Sequence, residues 1–260
     1  MAGLFSIPPV SRLCGHVWRR NLTVFFKTWK VNFFPPFIEA FLYLTAIGLG
    51  IGTYVRQIDG VPYVNFIAPA ILAISVMNSA FFECTYGSYV RMYYQKSFDA
   101  MIATPLSIED VIAGELLWGA TRSTMYVAIM LPVLAAFGVI SLPLSLLAIP
   151  LAFFGGMLFA GIAMCFTAIT PSIDTLNYPA FLFITPMMLF SGTFFPLSLL
   201  PQAFQYVAYA LPLTHLVAVS RMLTLPALSW TGILNIAWMG AVTFVVCVLA
   251  INLMRRRLIV

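Results

Sequence analysis

Glu39, Glu83, Glu115 and Arg122 fall inside stretches that are otherwise almost wholly apolar. A charge in lipid is costly and usually faces a partner or a water-filled cavity, so these four are the first candidates for chemistry. Glu115 and Arg122 are seven residues apart and share a helix face, but two turns separate them and a direct pair is not expected. Two readings stay open. In one, Glu83 and Glu115 flank an inner mouth and steady a neighbouring helix, while Arg122 sits deeper and faces a second copy or a substrate route. In the other, all four are structural pairs or snorkelling side chains.

Conventional catalytic sets are missing. Nucleophilic hydrolysis wants Ser or Cys beside His and a carboxylate. The two histidines are His16 and His215, which the topology below puts on opposite sides of a membrane. His215, near Pro212, reads as a polar cap on a hairpin. Cys14, Cys84, Cys165 and Cys247 lie far apart without a C-x-x-C pair, which signals neither a disulfide framework nor a metal site. A phosphate-binding loop needs Gly-Lys-Ser/Thr. Lys27, Lys30 and Lys96 instead follow Phe26, Trp29 and Gln95. Any ATP must be hydrolysed on another chain, so no enzyme activity and no cofactor are expected in this one.

The elements that must position these residues follow from composition. The 260 residues are 62% apolar and 8% charged, where a soluble domain carries about 25% charged residues. Lipid is the main solvent. Residues 60–82, 123–173, 175–220 and 222–254 carry no charge, and a spanning helix needs about 20 apolar residues. The runs are continuous rather than alternating, which argues for helices against a membrane β-barrel. Ten of the thirteen basic residues cluster as Arg12 to Lys30, Arg91 with Lys96, and Arg255 to Arg257. The positive-inside rule makes those segments cytoplasmic, so the span count is even. The expected fold is an all-α polytopic membrane protein with spans at about 35–54, 62–84, 107–137, 143–169, 177–191 and 231–254, the third and fourth separated by a turn from Gly138 to Pro143. Leu4 to Ile7 is too short for a signal-peptide core, so the first residues are read as mature protein.

Residues 10–31 place Leu13, Val17, Trp18, Phe25 and Trp29 on one helical arc and Arg12, Arg19, Arg20, Lys27 and Lys30 on the other. That is a helix lying in the interface, bounded by Pro8-Pro9 and Pro35-Pro36. Ser97 is expected to cap a short cytoplasmic helix over 95–103, stopped by Pro105, and Ser107 with Asp110 to cap the third span. Five prolines in 175–220 and the break at Ser191-Gly192 predict re-entrant half-helices over 194–213. These form part of a path or gate, or else rest in the interface on Phe194, Phe195, Tyr206 and Tyr209. Phe181, Phe183, Met187, Met188 and Phe190 offer an adaptable apolar lining, or simply face lipid. Gly48, Gly50, Gly52 and Gly156 with Ala160 permit close helix contact, including at a dimer seam.

Phe82-Glu83 through Arg91, Phe98-Asp99-Ala100-Met101, Thr104-Pro105-Leu106-Ser107, Gly114-Glu115-Leu116, Phe183 to Pro186, Leu189 to Gly192, Phe195-Pro196 and Leu211 to His215 are quoted for their order and spacing. Together, over about 15–255, they resemble the type-2 ABC exporter permeases. The resemblance implies six spans, an interfacial N-terminal helix, a coupling helix at about 95–103 and re-entrant half-helices before the last span. It implies a homodimer with two ATPase subunits that carry Mg-ATP, in the bacterial inner membrane with both termini cytoplasmic. The cargo would be an amphiphile such as a lipo-oligosaccharide, glycolipid or drug, moved outward among membrane lipids, with no nucleic-acid partner. Lys96, Ser97, Phe98, Asp99, Met101 and Ile102 would meet the ATPase, and the 181–195 aromatics and methionines with His215 would line the path or gate. An ion-gradient transporter or channel is the competing class. It would show broken helices in two matched halves, whereas here the broken region occurs once.

Overall fold

The computed structural model describes residues 6–55, 57–58, 60–140, 144–224 and 231–259. Pro143 and the start of the fourth predicted span therefore lie outside the described residues, as do residues 1–5. The chain is a bundle of helices: α1 Cys14–Lys27, α2 Trp29–Tyr54, α3 Tyr63–Tyr94, α4 Ser97–Ile102, α5 Ile108–Ala136, α6 Leu144–Ile169, α7 over 174–190, α8 Gln202–Ala210, α9 Pro212–Thr224 and α10 Thr231–Leu258. A two-stranded hairpin, Gln57–Ile58 against Val61–Pro62, joins α2 to α3.

Among the described residues α2, α3, α6 and α10 are long and apolar enough to cross a membrane, and α8 with α9 forms a pair bent by 85° that adds a fifth candidate. The protein is thus all-α and polytopic. Helix α5 runs 29 residues, about 44 Å at 1.5 Å per residue, with Glu109, Asp110, Glu115 and Arg122 in its first half.

α3 is the central helix. Its residues from Phe66 to Phe81 are almost all buried, because α5, α6 and α9 surround it. α10 lies along α6, and α1 and α2 lie on α5. Small residues set these approaches. A Cβ on Gly156 would meet Ala120 Cα at 2.9 Å, and one on Gly114 would fall 2.5 Å from Val17 Cβ and 2.8 Å from the Cys14 carbonyl oxygen. Gly156 is therefore used within the protomer, between α6 and α5. Gly48 faces Val64, whereas Gly50 meets nothing.

Several local expectations are corrected. Pro35 and Pro36 do not end the interfacial helix: they lie inside α2, and the break falls earlier, at Thr28. Asn32 Nδ2 donates to the Thr28 carbonyl at 3.0 Å, which adds a side-chain bond at the break itself. Ser97 is the first residue of α4 rather than its cap. Lys96 holds that place in the left-handed region at φ 53°, and no side chain caps the helix. The half-helices lie at 202–210 and 212–224, later than 194–213, because Gly192 turns at φ 69° and Pro196 and Pro201 keep the following segment extended. The helix read as 177–191 begins at Asp174 and holds a π-helical stretch at Ala180–Ile184. Ser107 and Asp110 form the reciprocal capping box at the start of α5.

Candidate functional site

Helix α3 carries two π-helical stretches in its last third, Glu83–Gly87 and Val90–Tyr94. Such bulges rotate the side chains that follow them and often mark functional positions. Here they bring Glu83 and Arg91 to the same face, against α5.

Arg91 is the hub. Its Nη1 donates to Glu83 Oε1 at 2.7 Å, and its Nε and Nη2 donate to Glu115 Oε2 at 3.0 and 2.5 Å. Glu115 is fully buried and also accepts from Asn21 Nδ2 at 2.7 Å and Ser88 Oγ at 2.8 Å. Glu83 accepts from Trp118 Nε1 at 2.8 Å and from Arg122, whose guanidinium also lies over Tyr126. Two carboxylates and two guanidiniums balance in charge. A buried carboxylate is tolerable only when paired and hydrogen-bonded, and here both are. Arg122 thus pairs with Glu83 and not with Glu115, in line with the two turns between Glu115 and Arg122. Glu39 stands apart from this network and accepts from Ser75 Oγ at 2.7 Å.

The network ties together the elements of one end of the bundle. α1 joins it through Asn21 and is further held by Trp18 Nε1 donating to Thr121 at 2.8 Å, and by Ser11, whose N–H and hydroxyl donate to Asp110 at 2.6 and 3.0 Å. α4 joins through Arg20 Nη2, which donates to Ser97 Oγ at 3.0 Å. The chain's last helix arrives through Arg255 on Glu109 at 3.2 Å and Arg257 on the carbonyls of Thr167 and Thr170. The three basic clusters of the sequence therefore gather at one end. Outside this membrane-depth network, burial and the nearby Asp110 carboxylate push the Cys14 thiol above its ordinary range.

A second polar knot fixes the bent pair. His215 Nε2 donates to the Tyr209 carbonyl at 2.9 Å, Nδ1 pairs with the Asn235 side-chain amide at 2.8 Å, and the ring stacks on Trp238 with centroids 4.0 Å apart. Arg221 donates to the carbonyls of Gly192, Thr193 and Phe66 at 2.8, 3.2 and 3.3 Å. Gly192 and Thr193 belong to a non-helical turn, whose carbonyls lipid would leave unsatisfied without Arg221.

The model of the ABC-2 type transporter family matches residues 12–225, a stretch that includes the whole Glu83–Arg91–Glu115 network. The chain belongs to this family. It is 33% identical over 243 residues to nodulation protein J of Sinorhizobium fredii, covering 94% of this chain and 93% of that one. It is 35% identical over 243 residues to nodulation protein J of Rhizobium meliloti, covering 93% and 92%. Inner membrane transport permease YadH of Escherichia coli is 23% identical over 211 residues, with 78% of each chain covered. No solved structure matches. As an ABC-2 permease the chain is a transport subunit, not an enzyme, and membership implies association with an ABC ATPase.

Within this permease the segment from Lys96 to Ile102, expected from the sequence to meet an ATPase, is only partly turned outward. Lys96 and Asp99 are exposed and Ser97 and Ile102 are half-buried, but Phe98 and Met101 are buried. Phe98 and Met101 therefore anchor α4 in the core and do not present a surface to a partner. Among the proposed path residues Phe181 is exposed, Met187 is buried, and Phe183, Met188, Phe190, Phe194 and Phe195 are half-buried. Phe190 stacks on Phe204 of α8, and the Phe194 carbonyl accepts from Tyr63.

Arg91, Ser88, Trp118, Asn21 and Arg221 were not singled out by sequence reasoning. Two signals were present. Arg91 follows Glu83 by eight residues, and Trp118 lies three after Glu115 and four before Arg122, so both fall on the charged stripe at helical spacing.

Proposed function

We propose that this chain is the membrane permease of an ATP-driven exporter, acting as a homodimer with two separate ATPase subunits that bind Mg-ATP. It crosses the bacterial inner membrane six times, with α5 and α7 among the spans, the α8–α9 pair re-entrant before the last span, and both termini cytoplasmic. It moves an amphiphile, such as a lipo-oligosaccharide, a glycolipid or a drug-like molecule, out of the cytoplasm or inner leaflet.

The observation that carries the reading is the way α4 is mounted. Exposed Lys96 and Asp99 sit on a helix of six residues that Phe98 and Met101 pin to the core. Arg20 links the helix to α1, and Arg91, five residues before Lys96 at the end of α3, ties the segment that leads into α4 to α5. A push on α4 is thus delivered to α1 through the Arg20–Ser97 hydrogen bond and, along the chain, to the α3 end that Arg91 ties to α5. Packed elements of this kind move as bodies, which is what ATP-driven switching requires. The exposed faces of α2 and α7, with Phe34, Phe37, Phe41, Phe181 and Leu182, offer apolar surface for a second copy and for the cargo's tail.

Co-purification tests this. The chain is expressed with the ATPase encoded beside it, isolated in nanodiscs, and compared with Asp99→Lys. A stable wild-type complex that dissociates or loses coupled ATPase activity in the variant supports the reading. A chain that binds no ATPase yet moves ions or solute by itself overturns it in favour of a gradient-driven transporter.

A further inference from the structure

At the basic end, a cavity of about 490 Å³ lies between α1, the end of α3 and α5. Its charged lining is Arg20, Arg91, Arg122 and Glu83. Behind the wall Glu115 pairs with Arg91, and Glu83 is shared by Arg91 and Arg122, so three guanidiniums face two carboxylates. The excess charge belongs to Arg20, which meets only the neutral oxygens of Asn21 and Ser97 at 3.2 and 3.0 Å. Arg122 Nε, also in this wall, is a buried donor with no hydrogen-bond partner.

Phe25 closes one side of the cavity and also lines a second groove of about 270 Å³. The rest of that groove is Phe26, Trp29, Phe33, Met125, Ala128 and Ile129, without a polar atom exposed in it. Phe26, Trp29 and Phe33 remain exposed there, so the groove opens sideways toward lipid. A positive polar chamber and an apolar channel that share one wall match a molecule with an anionic head and a hydrocarbon tail.

We infer that this composite site holds one anionic phospholipid of the surrounding bilayer, its phosphate at Arg20 and one acyl chain along Trp29 and Phe33. Charge complementarity selects the head, since a guanidinium makes strong hydrogen bonds to phosphate oxygens. The Glu83–Arg122 pair separates the chamber from the neighbouring 330 Å³ cavity that both residues also line, so this is a resting place and not a passage for cargo. A phosphate on Arg20 also sits one side chain from Ser97, and so joins lipid composition to the mounting of α4. The inference rests on membrane embedding and does not depend on the exporter reading.

The test is native mass spectrometry of the full chain released from micelles holding equal amounts of phosphatidylglycerol and phosphatidylcholine. Wild type is expected to retain one phosphatidylglycerol per protomer in preference to phosphatidylcholine. Arg20→Gln should lower that preference roughly tenfold. Arg20→Lys should keep most of it, and Arg12→Gln, in the turn just before α1 and outside the cavity, should leave it unchanged. Phosphatidylglycerol with brominated chains should quench Trp29 fluorescence, and quenching should fall in Trp29→Phe. Equal retention of the two lipids, an unaltered preference in Arg20→Gln, or an equal loss in Arg12→Gln overturns the site, the last by showing diffuse attraction to a basic helix. Absence of Trp29 quenching overturns the placement of the chain. Gel filtration of each variant shows whether it is folded, and ATPase co-purification reports separately on the exporter reading.

Discussion

Removal of Arg91 is the sharpest probe of the polar network. In Arg91→Met, Glu115 loses its ion-pair partner and with it both guanidinium hydrogen bonds, at 3.0 and 2.5 Å. It keeps Asn21 and Ser88, both neutral donors, and remains fully buried. Glu83 fares better, because Arg122 and Trp118 still donate to it. Leaving one buried charge without its partner costs about 3–5 kcal/mol, which is roughly a 10²- to 10⁴-fold fall in the folded-to-unfolded ratio. That is a large share of the stability of about 5–15 kcal/mol typical of a folded protein. Replacing both members by apolar groups removes the orphaned charge, so Arg91→Met with Glu115→Leu should recover most of the loss. The assay is denaturant unfolding in detergent micelles for wild type, both single variants and the double variant, closed as a double-mutant cycle. A single-variant loss below about 1 kcal/mol, or a double variant no more stable than Arg91→Met, would refute the claim that the pair is a coupled, buried unit.

Two further outcomes follow from the packing. Gly114→Ala puts a Cβ 2.5 Å from Val17 Cβ and 2.8 Å from the Cys14 carbonyl oxygen, so α1 must lift from α5 at a cost of about 1–3 kcal/mol. With the other three cysteines changed to serine, maleimide labelling of Cys14 should be slow in the parent and faster in Gly114→Ala. Because burial and Asp110 raise the Cys14 pKa, the parent's rate should keep climbing with pH above the ordinary thiol range; a plateau at that range would contradict the burial. His215→Leu removes the bonds to Tyr209 and Asn235 and the stack on Trp238, together worth about 2–3 kcal/mol. Hydrogen exchange over 208–216 in nanodiscs should accelerate in that variant, and an unchanged pattern would show that the bend between α8 and α9 is held by something else.

The sequence was read most securely where one physical demand dominates. Lipid solvation makes long charge-free runs helical, and the scarcity of charge made the three basic clusters stand out; the structure gathers them at one end of the bundle. The Ser107–Asp110 cap was legible because it is local, set by residues three apart. Proline was less reliable as punctuation, since Pro35 and Pro36 lie inside a helix, while Gly192 set the real break near the half-helices. Phe98 and Met101 look like an exposed recognition pair in the linear chain and are core anchors in space.

What the sequence by itself determined is the solvent, the helical class, the absence of a nucleotide-binding loop and the short list of costly charges. Which charge meets which was decided only by tertiary structure. The partner of Glu115 is not its helical neighbour Arg122 but Arg91, which belongs to another helix and reaches Glu115 from a segment that holds two π-helical stretches. A buried charge selects its partner by distance and desolvation in three dimensions, and those are properties of packed helices, not of the order of residues along one of them.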